Sequence, residues 1–166
     1  MTDRSLLAFA AAALMFSAAP VLAQEPSAGS PTASAVEPSA RAPAAVVDAF
    51  HAALTAGKIP TALGHLSEDA VVFESGGVER GKAEYASHHA AADAAFAKAV
   101  PSRTTRRAGR TSGDVAWILT EGRTTGTYKD KPLDRITTET MLLRRVGGVW
   151  RIVHVHWSSA AARPGA

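Results

Sequence analysis

The stretch Thr137–Ser158, "TTETMLLRRVGGVWRIVHVHWS", decides the fold. Two β-favouring runs flank Gly147-Gly148, a pair suited to a tight antiparallel hairpin. Strand alternation in the second run puts Ile152, His154, His156 and Ser158 on one face and Val153, Val155 and Trp157 on the other. In the first run it separates Thr137, Glu139, Met141 and Leu143 from Ile136, Thr138, Thr140, Leu142 and Arg144. Glu139 is conspicuous there, because a buried carboxylate needs a proton, a cation or several hydrogen bonds. Two imidazoles on one face pose the functional question. Alternation alone does not choose which face lines a pocket.

Working upstream, strands are predicted over Arg103–Arg110, Val115–Thr127, Ile136–Val146 and Val149–Ser158. Turn residues divide them at Ser112-Gly113-Asp114, at Lys129-Asp130-Lys131-Pro132 and at Gly147-Gly148. Trp117, Leu119, Glu121 and Arg123 share a face, with Glu121 and Arg123 close enough to pair locally on exposed sheet. Pro101 stops a helix predicted over Lys82–Val100, in which Tyr85, His89, Ala92 and Phe96 recur on one side and turn His89 toward the core. His88 then falls on the flank, and adjacent imidazoles would need special geometry to reach one site. Further upstream, Ala70–Phe73 is a strand that turns at Gly76-Gly77 into a brief return at Val78-Glu79, and Glu74 shares the face of Val72. Pro43 opens a helix carrying Val46, Val47, Phe50, Ala53 and Leu54 as far as Gly57. Ile59, Leu63 and Leu66 mark a short second one. Three helices in the N-terminal half followed by long strands give an α+β class: a curved antiparallel sheet holding a helix on its concave side.

The ends of the chain read differently. Residues 1–23 carry Arg4, an apolar run from Leu6 to Ala19 and the small-residue ending Val21-Leu22-Ala23, the pattern of a signal peptide cleaved after Ala23. An uncleaved anchor is the alternative. Residues 24–41 are a disordered Pro/Ser/Ala linker, 42–159 the folded domain and 160–166 a flexible tail. With no cysteine in the chain, lipid attachment through a thiol and disulfide stapling are both excluded. The expected location is the bacterial periplasm or outside the cell, with no stable membrane insertion after cleavage. Eighteen Lys and Arg against fifteen Asp and Glu leave a net charge of +3. The Arg103, Arg106, Arg107 and Arg110 cluster lacks any nucleic-acid-binding motif around it, so nucleic acid is not an expected partner.

The order of helices and strands, "LSEDAVVFESGG", the glycine before a long helix and the terminal histidine-x-histidine-tryptophan-serine resemble the NTF2-like superfamily, specifically SnoaL-like or DUF4440-like proteins. The resemblance spans about residues 43–159. It implies a cone-shaped fold with a concave pocket on one side and a homodimer surface or solvent on the other. It says less about activity, because such cones serve isomerases, dehydratases, cyclases, hydrolases and assembly domains. The catalytic tyrosine and aspartate constellation of the ketosteroid isomerases has no residue-by-residue match, so steroid isomerisation is disfavoured.

The leading functional expectation is a cone that binds a small, partly apolar molecule, with Phe73, Tyr85, His89, Glu121, His154 and His156 as candidate ligand contacts. Whether it is an enzyme is left open. Convergence of Glu74, Glu139, His154 and His156 would support acid–base isomerisation or elimination, with a carboxylate or imidazole as the proton acceptor. A third possibility is a divalent metal, zinc, copper or nickel, held by His89, His154, His156 and Glu74. No cofactor is otherwise expected. There is no phosphate-cradling glycine loop and no G-x-S-x-G nucleophile motif.

Overall fold

Helical periodicity and strand alternation are realised in the following order. Strand β1 (Ala35–Val36) and a short 3-10 turn (Pro38–Ala40) lead into α1 (Arg41–Thr55) and α2 (Ile59–Leu63). The hairpin β2 (Leu66–Glu74) and β3 (Gly77–Glu79) follows, then α3 (Lys82–His88), α4 (Ala90–Ala99) and four long strands. These are β4 (Ser102–Ser112), β5 (Val115–Tyr128), β6 (Lys131–Val146) and β7 (Val149–Ala161). The computed structural model describes residues 35–163. The expected signal segment, its cleavage position and the linker up to residue 34 lie outside the described residues.

The strands form one sheet in the order β1-β4-β5-β6-β7-β2-β3. It is mainly antiparallel, as expected, but β2 runs parallel to β7 and β1 parallel to β4. The parallel pairings arise because the chain reaches β2 and β4 through helices rather than hairpins. At Gly147-Gly148 both φ angles are positive (57° and 80°), the left-handed backbone that a two-residue hairpin needs and that glycine adopts without strain.

On the helix-bearing face α1 lays down Val47, Phe50 and Leu54 against Ile118, Met141, Leu143, Ile152 and Val155, all buried. Apolar area removed from water at about 25 cal/mol per Å² drives this packing.

Four expectations need correction. Ala40 is fully buried, and Val36 pairs with Gly109, so the folded part begins before residue 42. Ala160 and Ala161 pair with Ile136 and Arg135, so β7 continues into the segment expected to be a flexible tail. The predicted long helix breaks at His89 (φ −113°, ψ −31°) into α3 and α4, which rotates the second half. Ala90 and Ala94 face the core there, and Ala92 and His89 do not.

The fourth correction decides the site. Leu142 pairs with His154 and the next residue, Leu143, with Ile152, leaving Val153 as an extra residue in β7. Such a bulge reverses alternation beyond it. Ile152 and Val155 are therefore both fully buried, and Trp157 joins them on the concave side. His154 and His156 turn to the opposite face.

Candidate functional site

A row of cross-strand neighbours runs across the concave face: Arg107 opposite Thr120, Thr120 opposite Glu139, Glu139 opposite Trp157 and Trp157 beside Glu74. The apolar floor ends at this row. From above, α1 contributes Phe50 and His51, α3 Tyr85 and α4 Asp93. The Trp157 ring stacks on Phe50 at 6.3 Å and meets Tyr85 at 6.4 Å.

Glu139 is the centre of the row. Its side chain is only 9% exposed, and its Oε2 accepts hydrogen bonds from Trp157 Nε1 and lies against His51 Nε2, each at 2.7 Å. Burial pushes the carboxyl upward, but the hydrogen bond and charge of His51, the Trp157 N–H and the Arg107 guanidinium outweigh it, holding Glu139 below the usual carboxylate range. The other oxygen, Oε1, is buried without a hydrogen-bond partner, and so is Thr120 Oγ1 on the adjoining strand. A buried acceptor left in this state costs about 1–3 kcal/mol. His51 is 42% exposed, so the pair reaches from the interior to the mouth. Arg107 binds Asp48 of α1 at the same rim.

A second polar group occupies the other end of the row. The Tyr85 hydroxyl donates to Asp93 Oδ2 at 2.8 Å. Burial raises the Asp93 carboxyl, with Glu79 adding to the rise and the Tyr85 hydrogen bond and His89 opposing it. Burial followed by the charge of Asp93 raises Glu74, against the pull of His89. Burial, then Asp93 and Glu74, push the Tyr85 hydroxyl up as well, so it stays a donor. Glu79, nearly buried, lies against His89 Nδ1 through Oε1 and against His88 Nδ1 through Oε2 at 3.2 Å. Both adjacent imidazoles reach one carboxylate because the helix break separates their directions, contrary to the expectation from a continuous helix.

Of the residues expected at the site, Glu139 and Tyr85 lie in the interior, Glu74 is on the same face of the sheet but exposed, and His89 is at the edge. Phe73, Glu121, His154 and His156 do not. The bulge at Val153 puts both β7 imidazoles on the outer face, where their rings contact Phe73 at 4.9 and 6.0 Å and His154 Nδ1 lies 3.0 Å from the Val71 carbonyl oxygen. Glu121 is on the same outer face, paired with Arg106 at 3.0 Å rather than with Arg123, which binds Asp134. The sheet thus separates Glu74 and His89 from the β7 histidines, and the expected four-residue metal set does not assemble. The catalytic set of Glu74, Glu139, His154 and His156 is divided in the same way.

Sequence reasoning missed His51, Asp93, Thr120 and Trp157 as site residues. His51 had a signal: it follows Val47 by four residues and precedes Leu54 by three, at the flank of the buried stripe.

A void of about 10 Å³, the size of one water, lies among Val72, Glu74, Gly77, Glu79 and His89. A larger hollow of about 480 Å³ lies away from this chemistry, along the ends of β6 and β7 at Ile136, Thr138, Ser158 to Ala161 and Arg163.

A model of the SnoaL-like domain matches residues 44–162. A solved structure of a proposed ketosteroid isomerase from Shewanella frigidimarina superposes with a TM-score of 0.70 and 35% identity, over 75% of this chain and 100% of that one. An NTF2-like protein of unknown function from Pseudomonas putida gives 0.59 and 21%, over 69% and 82% of the two chains. The CaMKII hub of S. rosetta gives 0.59 and 20%, over 76% and 99%. No curated protein matches. The helices seated on a curved sheet, the domain match over nearly all of the described residues and the 35% identical structure make this chain a member of the SnoaL-like domain family of the NTF2-like superfamily.

Proposed function

We propose that the concave face binds a small, partly apolar molecule that displaces the His51 side chain at the mouth and brings a hydrogen-bond donor to Glu139 Oε1. The observation carrying this reading is the buried, unpartnered carboxylate oxygen beside the equally unpartnered Thr120 hydroxyl. A carboxylate held ionised at the edge of an apolar floor offers a strong acceptor at little further desolvation cost. The aromatic rings of Phe50 and Trp157 supply the apolar wall. The reading includes export to the periplasm, supported by the N-terminal sequence pattern, and no requirement for a cofactor.

A thermal-shift panel of apolar amines, alcohols and amides, followed by calorimetry of the hits, tests it. Glu139→Gln should weaken a true ligand about 10- to 100-fold, the size of a hydrogen bond to a charged group. Hits that bind Glu139→Gln as well as the parent, or that depend on His154 instead, would sink the proposal.

Acid–base chemistry is the second reading, favoured by the raised Glu74 and Asp93 carboxyls beside the Tyr85 hydroxyl. The relative described as a proposed ketosteroid isomerase points the same way. His51, oriented by Glu139 at the mouth, would accept the substrate proton and a protonated Glu74 or Asp93 would return one. Turnover unaffected by His51→Ala and by Glu74→Gln would exclude this mechanism.

We further propose that the outer face of the sheet joins two copies of the chain. Leu119, Thr140, His156 and Phe73 form one continuous row there, and Trp117, Leu142 and His154 the next. Phe73 and Leu119 are 39% and 42% exposed. A two-fold pairing would cover both rows at once.

A further inference from the structure

We propose that the corner between β3 and α3 binds a divalent transition-metal ion of the zinc class through Glu79, Glu84 and His88. One ligand atom from each of these residues lies within 4.8 Å of the other two. Glu84 and His88 stand four residues apart on α3, so they share a face of the helix, and β3 delivers Glu79 beneath them. The separation of 3.2 Å between Glu79 Oε2 and His88 Nδ1 suits two ligands of one tetrahedral ion, whose bonds of about 2.0–2.1 Å set ligand atoms roughly 3.4 Å apart.

The surroundings favour a cation. Glu79 is nearly buried, and its second oxygen is held by His89, which fixes the direction of the carboxylate as an outer-shell partner does in established zinc sites. Glu84 is anchored by the Arg80 backbone N–H, which keeps its carboxylate over the corner. His88 is 59% exposed, which leaves an entry path and room for water to complete the coordination. One imidazole and two carboxylates are ligand types that zinc accepts, and three of them leave a fourth position open. The set is ill suited to magnesium or calcium, which take more oxygen ligands and no imidazole. This site is separate from the Glu139 row, and neither proposal depends on the other.

The test is calorimetric titration of zinc chloride into the untagged, chelator-stripped full chain, with cobalt(II) absorption as a second readout of tetrahedral coordination. One ion per chain is expected. Glu84→Gln and His88→Ala should each weaken binding by at least about tenfold, and His89→Gln by about 10- to 100-fold. The double variant His154→Ala, His156→Ala should bind as the parent does. Glu84 and His88 lie at the surface, so circular dichroism of their variants should be unchanged. Absence of stoichiometric binding, binding indifferent to Glu84→Gln and His88→Ala, or binding lost only with the β7 histidines would overturn the assignment.

Discussion

Trp157→Ala is expected to lower the unfolding free energy by about 3 kcal/mol, the lower part of the range for removing a large aromatic from a core. Two losses combine. The indole fills the space between Phe50 and Tyr85, which cannot close over a missing ring when the floor beneath is a hydrogen-bonded sheet. Its N–H supplies one of the two contacts to Glu139 Oε2, and the carboxylate would remain buried with only His51 and the charge of Arg107 to hold it down. Glu139 would then titrate upward, toward the ordinary carboxylate range. Trp157→Phe separates the terms, since it keeps most of the packing and removes the N–H, and should cost about 1–2 kcal/mol. Urea unfolding of both variants, compared at constant m-value, measures the two effects. A loss below about 1 kcal/mol for the alanine variant would mean that Trp157 does not hold the site together.

Leu119→Arg combined with Phe73→Arg should convert a dimer into monomers, weakening self-association by at least about 100-fold, which corresponds to about 2.8 kcal/mol. Both residues lie in one row of the outer face, with two strands between them at Thr140 and His156, so a symmetric partner would bring like charges together over an apolar surface. Neither side chain touches the concave core, so the folded monomer should persist with an unchanged circular dichroism spectrum. Sedimentation velocity of parent and variant over a concentration series gives the answer. A parent that stays monomeric at all concentrations, or a variant that still dimerises, would remove the outer face as the interface.

Much of the architecture was legible because it rests on short-range patterns. The Gly147-Gly148 turn, the stripe Val47, Phe50, Leu54 and the alternation in β6 were all read from neighbouring residues and are all present. Glu139 was legible for the same reason, as a carboxylate among β-formers. What could not be read depended on non-local pairing. The bulge at Val153 shows only in how β7 pairs with β6, and no local feature of "RIVHVHW" announces it. The break at His89 is likewise a compromise, letting the first half-helix bury Tyr85 and the second bury Ala90 and Ala94. Asp93 and Thr120 became site residues only through the partners these adjustments gave them.

The extra residue in β7 has a consequence for inherited variation. A change of side chain at Val153 leaves the chain length intact, and a library of point variants there should be largely functional. Losing that single codon would only remove the extra residue: Ile152 and His154 would become consecutive opposite Leu143 and Leu142, a regular ladder that keeps Trp157 inward and both imidazoles outward. Deep mutational scanning should therefore find a one-residue deletion tolerated at position 153 and rejected at Val155, where it would carry an imidazole into the interior.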